Sequence, residues 1–124
     1  RVKQPFNVNS LALSAAAAAL EDIDHLQQSI SMNQAGMKQL TTAFDDMNLQ
    51  YIPSVGNFIC VDMESTAHTG MEIYNKLLHQ GVIVRPVDNY GLPNHLRITI
   101  GLEEENEKFI QALESVLTAM NVEA

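Results

Sequence analysis

The stretch GVIVRPVDNYGLPNHLRITIG, residues 81–101, decides the fold because it contains two strand patterns joined by a loop. The first pattern, residues 82–87, is a short apolar run. Its Pro86 lacks an N–H, so the strand must end there or lie at a sheet edge. The second, residues 95–100, alternates apolar and polar side chains, as in a strand with one buried face. The loop between them is rich in turn-forming residue types, so we expect the two strands to pair as a hairpin.

Each strand of this predicted hairpin contains one arginine. Arg85 and Arg97 are the only arginines besides Arg1. If the two strands pair, both side chains could point to the mouth of the same binding site. Arg97 occupies a non-core position of its strand, and a guanidinium offers parallel N–H groups that match a carboxylate or a phosphate. The residues alone leave two interpretations open: an anion site, or two solvated arginines on an exposed sheet face.

The rest of the chain predicts one more strand and four helices. The apolar run FICVDM, residues 58–63, is expected to be the central strand, and YIPSVGN before it is typical of a turn-rich connector. Capping residues and helical propensity predict an alanine-rich helix that begins at Asn9 or Ser10 and ends at a break near EDID. The spacing of apolar residues predicts three more helices, over residues 24–47, 71–80 and 102–120. The order α-α-β-α-β-β-α predicts an α/β fold, a two-layer sandwich with a three-stranded sheet and helices on one face.

Charge and hydropathy exclude several classes of partner. The 124 residues carry a formal net charge of -8, with seven basic residues against fifteen acidic ones. Nucleic-acid binding needs clustered lysines and arginines, so we expect no nucleic-acid surface. Apolar runs stay well short of the roughly 20 residues of a membrane span, so no membrane partner is expected. Small anionic ligands remain compatible, because they need only one or two well-placed arginines.

Cysteine and histidine usage gives little sign of chemistry. Cys60 is the only cysteine, which rules out an internal disulfide and suits a reducing cytosol. It lies in an apolar run without cationic sequence neighbours, so a buried, inert thiol is expected rather than a nucleophile. The four histidines show no metal-ligand spacing, so no metal site is predicted: His25, His68, His79 and His95.

Three segments in the expected order resemble the C-terminal portion of the histidinol-phosphate aminotransferase family. They are QPFNVNSLALSAAAAALED (residues 4–22), NFICVD (residues 57–62) and GVIVRPVDNYGLPNHLRITIGLEEENEKF (residues 81–109). The motif LRITIG with acidic residues after it is shared by many aminotransferases of fold type I, which use pyridoxal phosphate. The entry motif PFNVN is similar to that of the histidinol-phosphate branch.

The resemblance implies a division of the chain and roles for its arginines. Residues 1–22 would be a connecting segment with the alanine-rich helix, and residues 23–124 the small domain. In such enzymes the arginine of LRITIG, here Arg97, binds the anionic group of the substrate, and Arg85 is similar to the arginine that joins it on the phosphate. Tyr90 and Asn94, in the loop between the strands, are candidates for shaping the mouth of the same site.

The cofactor residues implied by the resemblance are missing from this sequence. Pyridoxal phosphate is held on a lysine as a Schiff base in this family. None of the four lysines follows a strand in the expected Ser-Lys setting: Lys3, Lys38, Lys76 and Lys108. We therefore expect the cofactor site to lie upstream in a large domain, no catalytic residue in this chain, and no activity of the chain alone.

The implied parent is a cytoplasmic, homodimeric transaminase of histidine biosynthesis. It would transfer an amino group from glutamate to imidazole-acetol phosphate, giving histidinol phosphate and 2-oxoglutarate. Two alternatives stay open. One is the small domain of another fold type I enzyme, such as an aromatic aminotransferase or an amino-acid-phosphate decarboxylase. The other is a stand-alone, non-catalytic α/β domain that binds a ligand.

Overall fold

The computed structural model describes residues 7–122, which form four helices and four short strands. The chain divides into two compact units, residues 1–31 and 32–124. The predicted boundary after residue 22 coincides with the break between the first two helices, and it stays a prediction. The helices are α1 (Ser10–Glu21), α2 (Ile23–Asp46), α3 (Gly70–His79) and α4 (Glu103–Val122), and the strands are β1 (Gln50–Ile52), β2 (Phe58–Asp62), β3 (Arg85–Pro86) and β4 (His95–Thr99).

The strands form one antiparallel sheet in the order β1-β2-β4-β3. This confirms the α/β class and the β3–β4 hairpin, but the predicted count of three strands was wrong. The additional strand is β1, which the sequence indicated as connector. Its three residues are too few to show an alternation, and Pro53 directly after it is typical of a turn. Strand β3 is shorter than predicted and ends at Pro86.

Local side-chain bonds set the limits of the first two helices. The Asn9 side chain caps α1 by accepting a hydrogen bond from the Ala12 N–H at 2.8 Å. Helix α1 ends at Glu21, and the Asp22 carboxylate then accepts the His25 N–H at 2.9 Å within the first turn of α2. The predicted break near EDID is therefore confirmed, and a competing carboxylate cap causes it.

The core of the second unit lies on one face of the sheet. Ile59 and Val61 of β2 and Leu96 and Ile98 of β4 alternate with the residues of the opposite face, as the period of two requires. Helices α2, α3 and α4 cover these side chains with apolar residues of their own, which gives the two predicted layers. The most deeply buried helical residues are Leu40, Phe44, Ile73, Leu77, Leu113 and Val116.

Helix α3 begins with a reciprocal cap. The Thr69 hydroxyl oxygen accepts the Glu72 N–H at 3.2 Å, and the Thr69 N–H donates to the Glu72 carboxylate at 2.8 Å. This backbone hydrogen bond is the main reason that the pKa of Glu72 lies below its usual value. The helix ends before Gly81, whose φ of +77° is the left-handed conformation that glycine adopts at low cost.

Helix α2 touches the junction between β4 and α4 through a glycine. A Cβ built on Gly36 would lie 2.5 Å from Ile100 Cγ2 and 2.8 Å from Asn106 Nδ2, so only glycine fits without a shift. Asn106 is 3% exposed, and its amide accepts the Gly101 N–H at 2.9 Å while donating to the Gly101 carbonyl and to Gln39 Oε1. These contacts fix the end of the strand that contains Arg97.

Candidate anion-binding site

The sheet face opposite the core brings the two predicted arginines together. In the register of the hairpin, Arg85 of β3 and Arg97 of β4 are direct partners. Side chains of directly paired residues leave the sheet on the same face, with their Cβ atoms about 4.5–5.5 Å apart. The same row continues through Cys60 of β2 to Ile52 of β1. The face that contains this row is called the open face below.

Arg97 is partly buried and rests on an aromatic ring. Its Cζ atom lies 5.2 Å from the ring centroid of Phe58, a cation–π contact that supports the guanidinium plane. Its Nε atom is buried and has no hydrogen-bond partner within residues 7–122. An unpaired N–H of a charged group is costly, so this geometry favours an acceptor at the guanidinium.

The electrostatics of the row also favour an anion. Arg85 is exposed, and within the described part of the chain neither Arg85 nor Arg97 forms an ion pair with a carboxylate. Like charges directly opposite each other in a sheet are destabilising. A bound carboxylate or phosphate would neutralise this repulsion and accept hydrogen bonds from both planar guanidinium groups.

A second row of polar residues lies beside the arginines. Asp62 of β2 and His95 of β4 are register partners, with 3.8 Å between Asp62 Oδ1 and His95 Nδ1. Their side chains are only 23% and 17% exposed. The Glu64 N–H donates to Asp62 Oδ1 at 3.0 Å and orients the carboxylate, while His95 Nδ1 is buried without a hydrogen bond to any described residue.

Sequence reasoning missed four members of this face: Phe58, Cys60, Asp62 and His95. His95 lies two positions before Arg97, so the alternation of β4 could have placed it beside the arginine. Residues of β2 gave no such signal, since their position depends on a register that only the folded sheet defines. The cationic neighbour of Cys60 was missed for the same reason, because Arg97 is distant in sequence but is its direct partner across the strands.

The expected inert burial of Cys60 is only partly correct. The side chain is half-buried on the open face rather than enclosed in the core. Burial raises the pKa of the Cys60 thiol, and the Arg97 guanidinium opposes that effect. The thiol is thus largely protonated near neutral pH, which agrees with a non-nucleophilic role.

The two loop candidates occupy different environments. Tyr90 ends a short 3-10 turn, Asp88–Tyr90, and is 66% exposed. Asn94 is half-buried, and its carbonyl oxygen accepts the Met63 N–H at 3.1 Å. A Cβ on Gly70 would lie 2.9 Å from that same carbonyl oxygen, so the backbone at Asn94 is tightly packed. Their assignment to the mouth of the site stays a prediction.

The described lysines do not fit a pyridoxal site. Lys38, Lys76 and Lys108 lie on α2, α3 and α4, are exposed, and belong to the layer on the other side of the sheet from the arginines. Lys3 falls outside the described residues. Over residues 7–122 there is also no cluster of three potential metal ligands, and no helix there is long and apolar enough to cross a membrane.

Comparisons with known proteins identify close relatives. The chain is 61% identical over 117 residues to histidinol-phosphate aminotransferase 1 of Nitrosococcus oceani, a match that covers 94% of this chain and 31% of that enzyme. A histidinol-phosphate aminotransferase of Pseudomonas fluorescens matches equally well, at 61% identity with the same coverage. The chain therefore spans about a third of the length of the curated relatives that it matches.

Solved structures agree with the fold. The histidinol-phosphate aminotransferase of Clostridium acetobutylicum superposes with a TM-score of 0.84 at 25% identity, over 94% of this chain and 36% of that one. The enzyme of Sinorhizobium meliloti, solved in complex with pyridoxal-5'-phosphate, gives a TM-score of 0.85 at 24% identity, over 96% and 33% of the two chains. The sequence profile of aminotransferase class I and II matches residues 1–113, and the chain accordingly belongs to that family.

Proposed function

We propose that this chain is the anion-binding small domain of a histidinol-phosphate aminotransferase. The reaction would be the reversible transfer of an amino group between glutamate and imidazole-acetol phosphate. Two findings support it: the 61% identity to curated enzymes of that name, and the direct pairing of Arg85 with Arg97 on the open face. The arginine pair is the observation that carries the proposal, because it gives this part of the chain a role in binding the anionic end of the substrate.

In this proposal the two arginines hold the anionic end of each substrate. The site must accept the phosphate of histidinol phosphate in one half-reaction and a carboxylate of glutamate or 2-oxoglutarate in the other. Two planar forks serve either group, since each can donate two parallel N–H bonds. The Phe58 ring under Arg97 limits the directions in which the guanidinium can turn, so it keeps the fork oriented between turnovers.

The chemistry at the amino group would come from a cofactor that the described residues do not hold. Pyridoxal phosphate supplies the electron sink for transamination. Its lysine is expected in a large domain of the same enzyme, since the described lysines lie on helix surfaces away from the arginines. The large domain and a second copy in a cytoplasmic homodimer are the proposed protein partners, and the chain's own residues bind and orient.

The decisive experiment replaces Arg97 in the protein expressed from its complete natural reading frame. We expect Arg97→Gln to raise the KM for histidinol phosphate and for 2-oxoglutarate by at least tenfold each, with a smaller effect on kcat, because the lost fork binds both ground states. Arg97→Lys keeps the charge but not the fork, so it should restore only part of the affinity. Steady-state kinetics with each substrate varied in turn measures these effects.

Lys38→Gln is the matched control. It removes one positive charge from the exposed surface of α2 and should leave both KM values unchanged. Unchanged KM values in Arg97→Gln would contradict the proposal. Activity of the unsubstituted enzyme on phenylpyruvate, or release of carbon dioxide from an amino-acid phosphate, without activity on histidinol phosphate would instead favour another enzyme of fold type I.

A further inference from the structure

We propose that His95, oriented by Asp62, is a third ligand of the anion site and favours phosphate over carboxylate. The inference rests on the proposed function, because it assumes that Arg85 and Arg97 bind the anionic end of the substrate. It adds a specificity-determining residue that the arginine pair alone does not provide.

The placement of His95 follows from the sheet. His95 and Arg97 are two residues apart on β4, so they leave the strand on the same face with Cα atoms about 6.6 Å apart. His95 therefore lies beside the row that contains both arginines. At this distance, an anion held by the Arg97 fork is within reach of an imidazole that leans along the strand.

The two nitrogens of the His95 ring have different surroundings. Nδ1 is buried, has no hydrogen bond among the described residues, and faces Asp62 Oδ1 at 3.8 Å. When both ring nitrogens carry a proton, the Nδ1–H faces that carboxylate oxygen. Nε2 is then the nitrogen that can donate to a ligand on the open face. Asp62 Oδ1 itself accepts the Glu64 N–H at 3.0 Å, which limits the orientations of the carboxylate that faces the ring.

Three charged residues lie next to His95 in the register of the sheet. Asp62 faces it from β2, Arg97 lies beside it on β4, and Arg85 follows in the neighbouring row. Gln50 of β1, which pairs with Asp62 on its other side, is neutral. A phosphate dianion on this face would be attracted by both guanidinium groups and by the imidazolium form of His95.

The shape of the ligand explains the specificity. A carboxylate has two acceptor oxygens in one plane, and two guanidinium forks satisfy them. A phosphate monoester has three terminal oxygens arranged around a tetrahedron, so one remains after the arginines have bound. A donor outside the plane of the arginines matches that third oxygen, and in this proposal His95 is that donor because it lies in the adjacent row of the open face.

The test compares two substrates in the protein expressed from its complete natural reading frame. We expect His95→Phe, which keeps an aromatic ring but removes the donor, to raise the KM for histidinol phosphate about tenfold. The KM for 2-oxoglutarate should change less than twofold. Asp62→Asn should shift the same ratio in the same direction by a smaller factor, and His95→Gln should recover part of the loss because its amide donates.

A binding readout separates this role from a structural one. In the protein expressed from its complete natural reading frame, titration with inorganic phosphate should shift the His95 ring signals in the NMR spectrum, while titration with succinate at equal ionic strength should not. His79→Gln, on the exposed surface of α3, is the control and should leave both KM values unchanged.

The outcomes distinguish the two proposals. An equal rise of both KM values in His95→Phe, or no rise in either, would overturn the role of His95 even if Arg97→Gln behaves as expected. Normal KM values in Arg97→Gln would instead remove the anion site itself. A phosphate-specific loss in His95→Phe together with a loss for both substrates in Arg97→Gln is the pattern that supports both.

Discussion

Arg85 of β3 and Arg97 of β4 are direct cross-strand partners that carry the same charge, which is unusual in a sheet. Strand partners usually gain from opposite charge or from apolar contact, whereas Arg85 and Arg97 repel. The Phe58 ring lowers the cost of the arrangement by a cation–π contact, and the burial of Arg97 Nε without a partner adds to that cost. Both features are understandable if the residues are arranged for a ligand rather than for the stability of the free chain.

Cys60 gives a prediction at the same scale. Burial raises the pKa of its thiol, and the Arg97 guanidinium opposes this, so less thiolate is present at a given pH than in a free peptide. We expect iodoacetamide at pH 8 to alkylate Cys60 several-fold more slowly than a cysteine peptide. Arg97→Gln should slow the reaction further, because the opposing cation is gone.

The reaction is run at several pH values from 7 to 10, and samples are quenched at timed intervals. Mass spectrometry of these samples gives the alkylation rate at each pH. Lys38→Gln, on the exposed surface of a helix on the other side of the sheet, serves as the control and should match the unsubstituted chain. A Cys60 that reacts as fast as the peptide, or an Arg97→Gln variant that reacts faster than the unsubstituted chain, would contradict this account of the thiol.

The sequence predicts the position of some residues of the open face but not of others. Arg97 was placed on the non-core face because its own strand alternates, and Arg85 was placed near it because a turn-rich loop joins the two strands. Asp62 and Cys60 belong to a strand nearly forty residues earlier, and only the register joins them to Arg97. Register depends on the packing of the whole sheet, so local patterns do not contain it.

Among the elements, α2 stands out for how closely its backbone approaches the end of β4. Glycine in a helix interior usually costs stability, about 1 kcal/mol relative to alanine. At Gly36 the missing side chain allows contact with Ile100 and with the buried amide of Asn106. The sequence alone does not indicate these contacts, since the partners of Gly36 lie far along the chain.

Gly36→Ala should therefore destabilise the chain despite the better helix propensity of alanine. The new Cβ would lie 2.5 Å from Ile100 Cγ2, and overpacking of this kind costs about 1–3 kcal/mol. Gly56→Ala is the matched control, since its nearest neighbour would be an ordinary 3.6 Å from the new Cβ. Urea unfolding followed by circular dichroism gives the free energy of unfolding of each variant. A Gly36→Ala variant as stable as the Gly56→Ala variant would contradict the close approach.

The elements themselves were largely predictable, with one instructive exception. Four helices and the strands β2, β3 and β4 were recognisable because caps, apolar spacing and a proline mark them. Strand β1 was not, because three residues between a left-handed Asn48 and Pro53 show no pattern of their own. It exists as a strand because β2 offers it a free edge, with Tyr51 opposite Val61.

For the whole molecule, the distribution of apolar side chains differs between its two units. Residues 32–124 contain the hydrophobic core, whereas α1 has no buried residue. Leu11 and Leu20 of α1 are each 82% exposed. Exposed leucines in such number are typical of a surface that another protein surface covers. We therefore expect another protein surface to cover the leucines of α1.

The chain of 124 residues should accordingly self-associate in solution. We expect sedimentation velocity to show a weight-average mass that rises above 13.7 kDa with concentration, because apolar surface is buried when copies meet. The double variant Leu11→Glu with Leu20→Glu should remain monomeric at concentrations where the unsubstituted chain does not. Ser14→Glu, which adds charge to the same helix without removing a leucine, is the control. Identical sedimentation of all three chains would contradict the prediction.

Pro86 has a consequence for how the sheet can grow. Strand β3 lies at one edge of the sheet, and its second residue has no N–H to offer to a strand of another molecule. Recruitment of a foreign strand, the first step of domain exchange and of fibril formation, is therefore disfavoured beside Arg85.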